Sequence, residues 1–170
     1  MEVSNRIVIF SRGRLEQIGS PREIYELPRN EFVARFIGVM NVLELRVTKG
    51  MARLNELSFP AHGASEGQTI RVGFRPYAVQ ISGNTGEFRY QAEIKHIYFL
   101  GVMLRVELET PEGLVIRARI SKEDFARYNV GEGDLVSFQI RNYRVLAREG
   151  ESLDPEVSTV HSAPDFDAGI

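Results

Sequence analysis

The stretch Tyr90–Ile120, YQAEIKHIYFLGVMLRVELETPEGLVIRARI, decides the fold. Residues 90–99, 103–109 and 114–120 are rich in β-branched, aromatic and aliphatic side chains, many of them alternating with polar ones, as in half-buried strands. Leu100-Gly101 and Pro111-Glu112-Gly113 stand between them as turns. Arg117 and Arg119 alternate with Ile116, Ala118 and Ile120, which reads as a solvated strand face over a core. The period of two continues on both sides. Upstream, Val42, Leu43 and Leu45 begin a strand, and residues 51–54, 57–59, 69–74 and 78–81 follow, with turns at His62-Gly63 and Gly83-Asn84. Downstream come 135–140 and 144–147, with turns at Gly131-Glu132-Gly133 and Asn142. Strands this short, spaced by roughly 8–12 residues, predict a sandwich or small barrel. One helix interrupts them: Ser121 caps residues 122–128, with Phe125 and Tyr128 inward. A closed five-strand sheet with one short helix is OB-like.

The first forty residues read differently. Residues 6–10 and 14–18 flank Ser11-Arg12-Gly13 as a hairpin. Ser20 with Pro21 next and Glu23 three on combines an N-cap, an N1 proline and a capping-box acid, so a helix covers about 21–27 and stops at Pro28. Asn30 caps a second helix over 31–37. Phe32, Val33 and Phe36 share one face of it, and Gly38 ends it. A lone hairpin leaves Ile7, Val8, Ile9, Leu15 and Ile18 short of neighbours, and the second helix covers only part of them.

With 43% hydrophobic residues in a chain of 170, one ordinary domain and a small appended piece can build a core. There are no cysteines, which excludes disulfides and thiolate metal sites. No apolar run approaches the roughly 20 residues of a membrane helix, and the charged start is no signal peptide. Residues 151–170 hold Glu151, Asp154, Glu156, Asp165, Asp167 and two prolines but no Lys or Arg. They read as a disordered acidic extension. Five of the 23 acids lie there, so the rest carries 18 against 21 Lys and Arg and is mildly basic.

Several chemistries lack their residues. No G-x-x-x-x-G-K-[ST] loop is present to cradle phosphates, and no apolar strand ends in Asp-Glu to hold a metal. His62, His96 and His161 are far apart and have no metal-ligand spacing. No nucleophile elbow appears. A basic-aromatic set, Arg89, Lys95, Arg105, Arg117, Arg119, Arg141 and Arg144 among Phe88, Tyr90, Tyr98, Phe138 and Tyr143, has the composition of a nucleic-acid face. Glu93, Glu107, Glu109 and Glu112 interrupt it, and the small positive balance falls short of the usual basic footprint.

Asn5-Arg6 with Ile7–Phe10, then Arg12-Gly13-Arg14-Leu15-Glu16-Gln17-Ile18-Gly19, Ser20-Pro21-Arg22-Glu23-Ile24-Tyr25 and Asn30–Gly38, resemble the end of the nucleotide-binding domain of ABC import ATPases. Val72-Gly73-Phe74-Arg75-Pro76 resembles the "V-G-F/I-R-P" box of the TOBE domain that follows it in that family, and Phe36–Leu43 resembles the junction that opens it. Leu100-Gly101 through Arg105-Val106-Glu107-Leu108, with Met1–Arg6, resembles the sulfate/thiosulfate branch. The resemblance covers about 1–148.

It implies a mainly β, OB-like TOBE barrel or sandwich preceded by a hairpin and two short helices left from an α/β nucleotide-binding domain. The implied division is 1–38 as that remnant, 39–148 as a regulatory TOBE domain and 149–170 as the acidic tail. Gly38, Asn41, Arg75, Pro76, Gly101 and Arg105 are the family-motif positions, structural or interfacial. For Arg75-Pro76 the bland reading is a proline-fixed turn with locally paired Arg. Catalytic, cofactor and metal residues are expected to be none, because the ATP and Mg sites and the switch histidine of the parent lie upstream, about 200 residues of chain. The expected partners are a second copy of itself and, through the parent, membrane permease subunits, with no nucleic acid. The expected place is the cytoplasm, peripheral to the inner face of the cell membrane. Small TOBE domains bind molybdate through an S/T-A-R-N box, of which Val39-Met40-Asn41 keeps only the Asn. The alternative reading is a stand-alone OB-type module for nucleic acid or a small oxyanion.

Overall fold

A computed structural model describes residues 5–61, 63–148 and 161–162. The chain opens with the hairpin β1 (Ile7–Ser11) and β2 (Arg14–Gly19). Two short helices follow, α1 (Pro21–Glu26) and α2 (Glu31–Ile37). The Ser20 hydroxyl accepts from Glu23 N at 3.2 Å and the Glu23 carboxylate accepts from Ser20 N at 2.7 Å, closing the expected capping box. Accepting from the Ser20 backbone N–H, and next from the Ser20 hydroxyl, holds the Glu23 carboxyl below its ordinary pKa. Asn30 caps α2 through Val33 N at 2.9 Å.

The inward face of α2 differs from expectation. Val33 and Ala34 are buried, whereas Phe32 and Phe36 stack on each other at 5.8 Å on the exposed side. Apolar residues cover more than half the circumference of this seven-residue helix, so periodicity alone does not choose the face. Ile9 buries against Ile24 and Val33, while Val8, Phe10, Leu15 and Ile18 stay exposed. The hairpin is therefore covered on one side only.

The remainder forms two antiparallel sheets. One runs β13-β12-β6-β3-β4-β5, built from β3 (Asn41–Thr48), β4 (Met51–Leu54), β5 (Leu57–Pro60), β6 (Thr69–Phe74), β12 (Asn142–Arg148) and β13 (His161–Ser162). The other runs β10-β9-β8-β11-β7, built from β7 (Val79–Ser82), β8 (Tyr90–Leu100), β9 (Met103–Glu109), β10 (Val115–Ser121) and β11 (Leu135–Ile140). Helix α3 (Lys122–Tyr128) follows β10; it buries Phe125, while Tyr128 is half-buried. The protein is mainly β and OB-like, as expected, with its strands in two curled sheets. Asn142, expected in a turn, starts β12. Two residues of the tail, His161 and Ser162, pair with Tyr143 and Asn142, against the expectation of no packing after residue 150. The rest of the acidic tail, and His62, lie outside the described residues. Between β8 and β9 the turn is Gly101-Val102, with Gly101 at φ +73° and no positive φ at Val102, the pattern of a type II′ turn that needs glycine first.

The core lies between the inner faces of the two sheets, with Phe74, Phe138, Tyr143, Leu45 and Ile94 fully buried. The Tyr143 hydroxyl donates to Pro60 O at 3.0 Å, and burial pushes its pKa up to about 12 from 10.0. The neutral phenol is the folded form, so its contribution is complete below pH 10 and is lost as pH rises through about 12. Denaturant titrations from pH 9 upward are expected to show stability falling across that window. Tyr143→Phe should fall less steeply over it, and equal slopes would contradict the assignment.

Candidate functional site

The chemistry of the Val72–Pro76 stretch depends on its backbone. Pro76 opens a short 3-10 helix over Pro76–Ala78 and biases the residue before it to extended backbone. Arg75 accordingly sits at φ −76°, ψ 150°. From there its side chain runs beneath the two N-terminal helices. Nη1 donates to the carbonyls of Ala34 at 3.0 Å, Gly38 at 3.1 Å and Val39 at 3.3 Å. Nη2 donates to Tyr25 O at 2.9 Å. The guanidinium carbon lies 4.3 Å from the centre of the Tyr25 ring, which stacks in turn on Tyr77 at 6.2 Å. Arg144, opposite Gly73 in the β12–β6 register, donates from Nη1 to Glu26 O at 3.1 Å.

Both arginines are only 4% exposed. Apart from Gly38, the C-cap of α2, and Val39 just beyond it, their acceptors are among the last carbonyls of α1 and α2, which carry the negative end of each helix dipole. Helix α1 has no basic residue of its own in its last turn, so the barrel supplies the cation. Burial pushes the Arg75 pKa down against the pull of Tyr25 and Tyr77, and pushes Arg144 down to about 10. Both remain charged at neutral pH. Burial, then Tyr25 and Glu26, raise the Tyr77 pKa. A cleft of about 250 Å³ lies beside the joint, lined by Glu26, Met40, Arg75, Tyr77, Asn142 and Arg144 among others. Gly73 makes the close approach possible, since a Cβ there would sit 2.5 Å from Leu146 Cδ1 and 2.9 Å from Met40 Sδ.

Next to this joint the barrel is sealed by one side chain. Asn41 lies opposite Phe74 at the start of β3. Its Nδ2 donates to Arg117 O at 2.8 Å and its Oδ1 accepts from Arg117 N at 2.8 Å. The amide thus imitates a peptide of a neighbouring strand and satisfies the free edge of β10.

Of the six motif positions, Gly38, Arg75 and Pro76 meet at the joint and Asn41 stands at the seam. Gly38 has φ 167°, extended backbone open to any residue, and contributes its carbonyl. Gly101 and Arg105 lie instead on the β8–β9 hairpin, where Arg105 covers the Tyr98 ring at 4.2 Å. Pro76 does close a turn between two strands, but Arg75 binds across 36 to 50 residues of sequence rather than locally. Tyr25, Tyr77 and Arg144 belong to the joint; Tyr25 lies in the Ser20–Tyr25 motif and Arg144 in the basic-aromatic set, but no sequence signal pointed to their meeting with Arg75. The basic-aromatic set does not form one face. Phe138, Tyr143 and Arg144 are buried, Arg117 pairs with Glu107 at 3.1 Å, and Lys95 bridges Glu93 at 2.8 Å and Glu109 at 3.2 Å. Among the described residues no cluster of His, Asp and Glu has metal-site geometry, and no helix is long and apolar enough to cross a membrane.

Residues 72–146 match the TOBE domain family. The chain is 37% identical over 158 residues to the sulfate/thiosulfate import ATP-binding protein CysA of Nitrosomonas europaea, a match covering 89% of this chain and 44% of that protein. It is 34% identical over 149 residues to the same protein of Methylococcus capsulatus, covering 86% of this chain and 42% of that one. The chain thus spans less than half the length of these relatives. Among solved structures it is similar to the cytoplasmic molybdate-binding protein ModG, at TM-score 0.50 and 17% identity, over 59% of this chain and 89% of that one. At that identity the likeness shows the OB-type fold alone. On these matches residues 72–146 are similar to the TOBE domain, and the chain is similar to sulfate/thiosulfate import ATP-binding proteins over less than half of their length.

Proposed function

We propose that the chain is the regulatory and dimer-contact part of such a subunit, in which ATP hydrolysis elsewhere drives sulfate or thiosulfate import. Residues 1–38 are the end of the nucleotide-binding domain, 39–148 the regulatory domain and 149–170 an acidic extension. The observation that supports this reading is the arginine joint. Arg75 and Arg144 bind the carboxyl ends of α1 and α2 directly, so a displacement of the helices is delivered to the barrel as a displacement of β6 and β12. The exposed Val8, Phe10, Leu15, Phe32 and Phe36 mark the side on which further protein packs. ATP and Mg act in the complete subunit, where the chain supplies no catalytic group. The assembled subunit works with a second copy and with permease subunits at the inner face of the membrane.

The test replaces the corresponding part of the Nitrosomonas relative with this chain and measures ATP-dependent sulfate uptake by the assembled importer. Uptake is expected to persist. An assembled importer without uptake, or saturable ATP binding by the isolated chain in calorimetry, would overturn the reading.

A further inference from the structure

The cleft beside the joint opens where β6 gives way to the Arg75-Pro76 turn and β12 begins at Asn142. Asn142 and Arg144 lie two apart on β12 and so stand on one face of it. Two cations border the space, Arg75 and Arg144, each 4% exposed. The acceptors of Arg75 are four neutral carbonyls, and its Nε is buried without an acceptor among the described residues. A helix end carries about half an elementary charge, and α1 serves both arginines, so the helix dipoles fall short of two full cations. Burial holds the pKa of each guanidinium below its ordinary value, as happens where desolvation outweighs compensation. Of the lining residues only Glu26 is acidic, and its carboxylate accepts from Arg22 Nε at 3.0 Å. The field in the cleft is therefore positive, and the exposed Asn142 and Tyr77 stand in it as neutral hydrogen-bond donors.

Met40, Ala78 and the ring of Tyr77 give the cleft an apolar wall. A bare inorganic ion would leave that wall wet, whereas a ring would cover it. A cavity of about 150 Å³ takes one benzene ring, and this cleft of about 250 Å³ has room for a ring with a carboxylate. We infer that the cleft binds a small organic anion, one carboxylate on an apolar body of ring size, with the carboxylate toward Arg75 and Arg144. Such a ligand touches the end of α1 together with β6 and β12, so its binding and the closure of the joint favour each other. Binding here is independent of whether the assembled importer moves sulfate.

The test is calorimetry on the full chain with benzoate, its neutral analogue benzamide, and sodium sulfate, at constant ionic strength. Benzoate is expected to bind at least tenfold more tightly than either of the others. It should also slow hydrogen exchange in residues 20–27 and 142–146. Asn142→Asp puts a carboxylate of the chain's own beside the two guanidinium groups. It should weaken benzoate at least tenfold and raise the melting midpoint, a gain that added salt reduces. Asn142→Ala separates charge from size and should keep benzoate binding within a few-fold. No benzoate binding, or binding that benzamide or sulfate matches, overturns the ligand class. Benzoate binding that survives Asn142→Asp, or that Asn142→Ala weakens as much, overturns the site. A midpoint that Asn142→Asp leaves unchanged or lowers shows that the cleft is not positive, and overturns it too.

Discussion

Replacing Arg75 with Ala is expected to free the hairpin and helices from the barrel while the barrel stays folded. The substitution removes four hydrogen bonds from one guanidinium and leaves the carbonyls of Tyr25, Ala34, Gly38 and Val39 without this donor in a half-buried joint. Hydrogen bonds to a charged group contribute about 1.5–3 kcal/mol each when counted singly. They share one side chain, so a loss of about 3–5 kcal/mol is expected rather than their sum. Hydrogen exchange should report it as lost protection in residues 20–38 with little change in residues 69–74 and 135–140. Arg75→Lys keeps the charge but not the planar fork, and should recover only part of the protection. Uniform loss along the chain, or none, would show that the joint does not hold the helices.

Asn41→Ala should also be costly, by a different route. It removes both 2.8 Å bonds to Arg117 and leaves a half-buried strand edge short of one donor and one acceptor, about 1–3 kcal/mol. Urea titration should show the midpoint falling. Asn41→Asp is the discriminating variant. It keeps an acceptor for Arg117 N but sets a second oxygen against Arg117 O where the amide nitrogen donated. It should destabilise as much as Ala does. An Asp variant as stable as wild type would mean that the seam is held by packing alone.

How much of this was legible in the sequence depends on the range of the physics. The capping box at Ser20–Glu23, the glycine turn at Gly101 and the alternation along β9 are local, and each stands in the structure where the residues put it. The Arg75-Pro76 turn was legible for the same reason, because proline acts on its neighbour. The partners of Arg75 were not, because main-chain carbonyls carry no residue identity, and every residue offers one. The seam spans 76 residues between Asn41 and Arg117, and nothing in either neighbourhood announces the other. The division of the barrel into two sheets depends on which edges meet. The face chosen by α2 depends on what Ile9 and Ile24 leave room for, and its own pattern fits both answers.

The acceptors named for both arginines are peptide oxygens at helix ends, so the joint reads shape and polarity rather than residue identity. Apart from Tyr25, whose ring the guanidinium covers, and Ala34, which is fully buried, the side chains at those positions can drift without breaking the contact. Such a joint makes the two halves exchangeable. A barrel from one relative should seat on the helices of another wherever the helices stop at the same height and an aromatic ring stands in the place of Tyr25. Grafts that lengthen α1 or α2 by a single residue should fail, since they turn the terminal carbonyls about 100° away from the guanidinium.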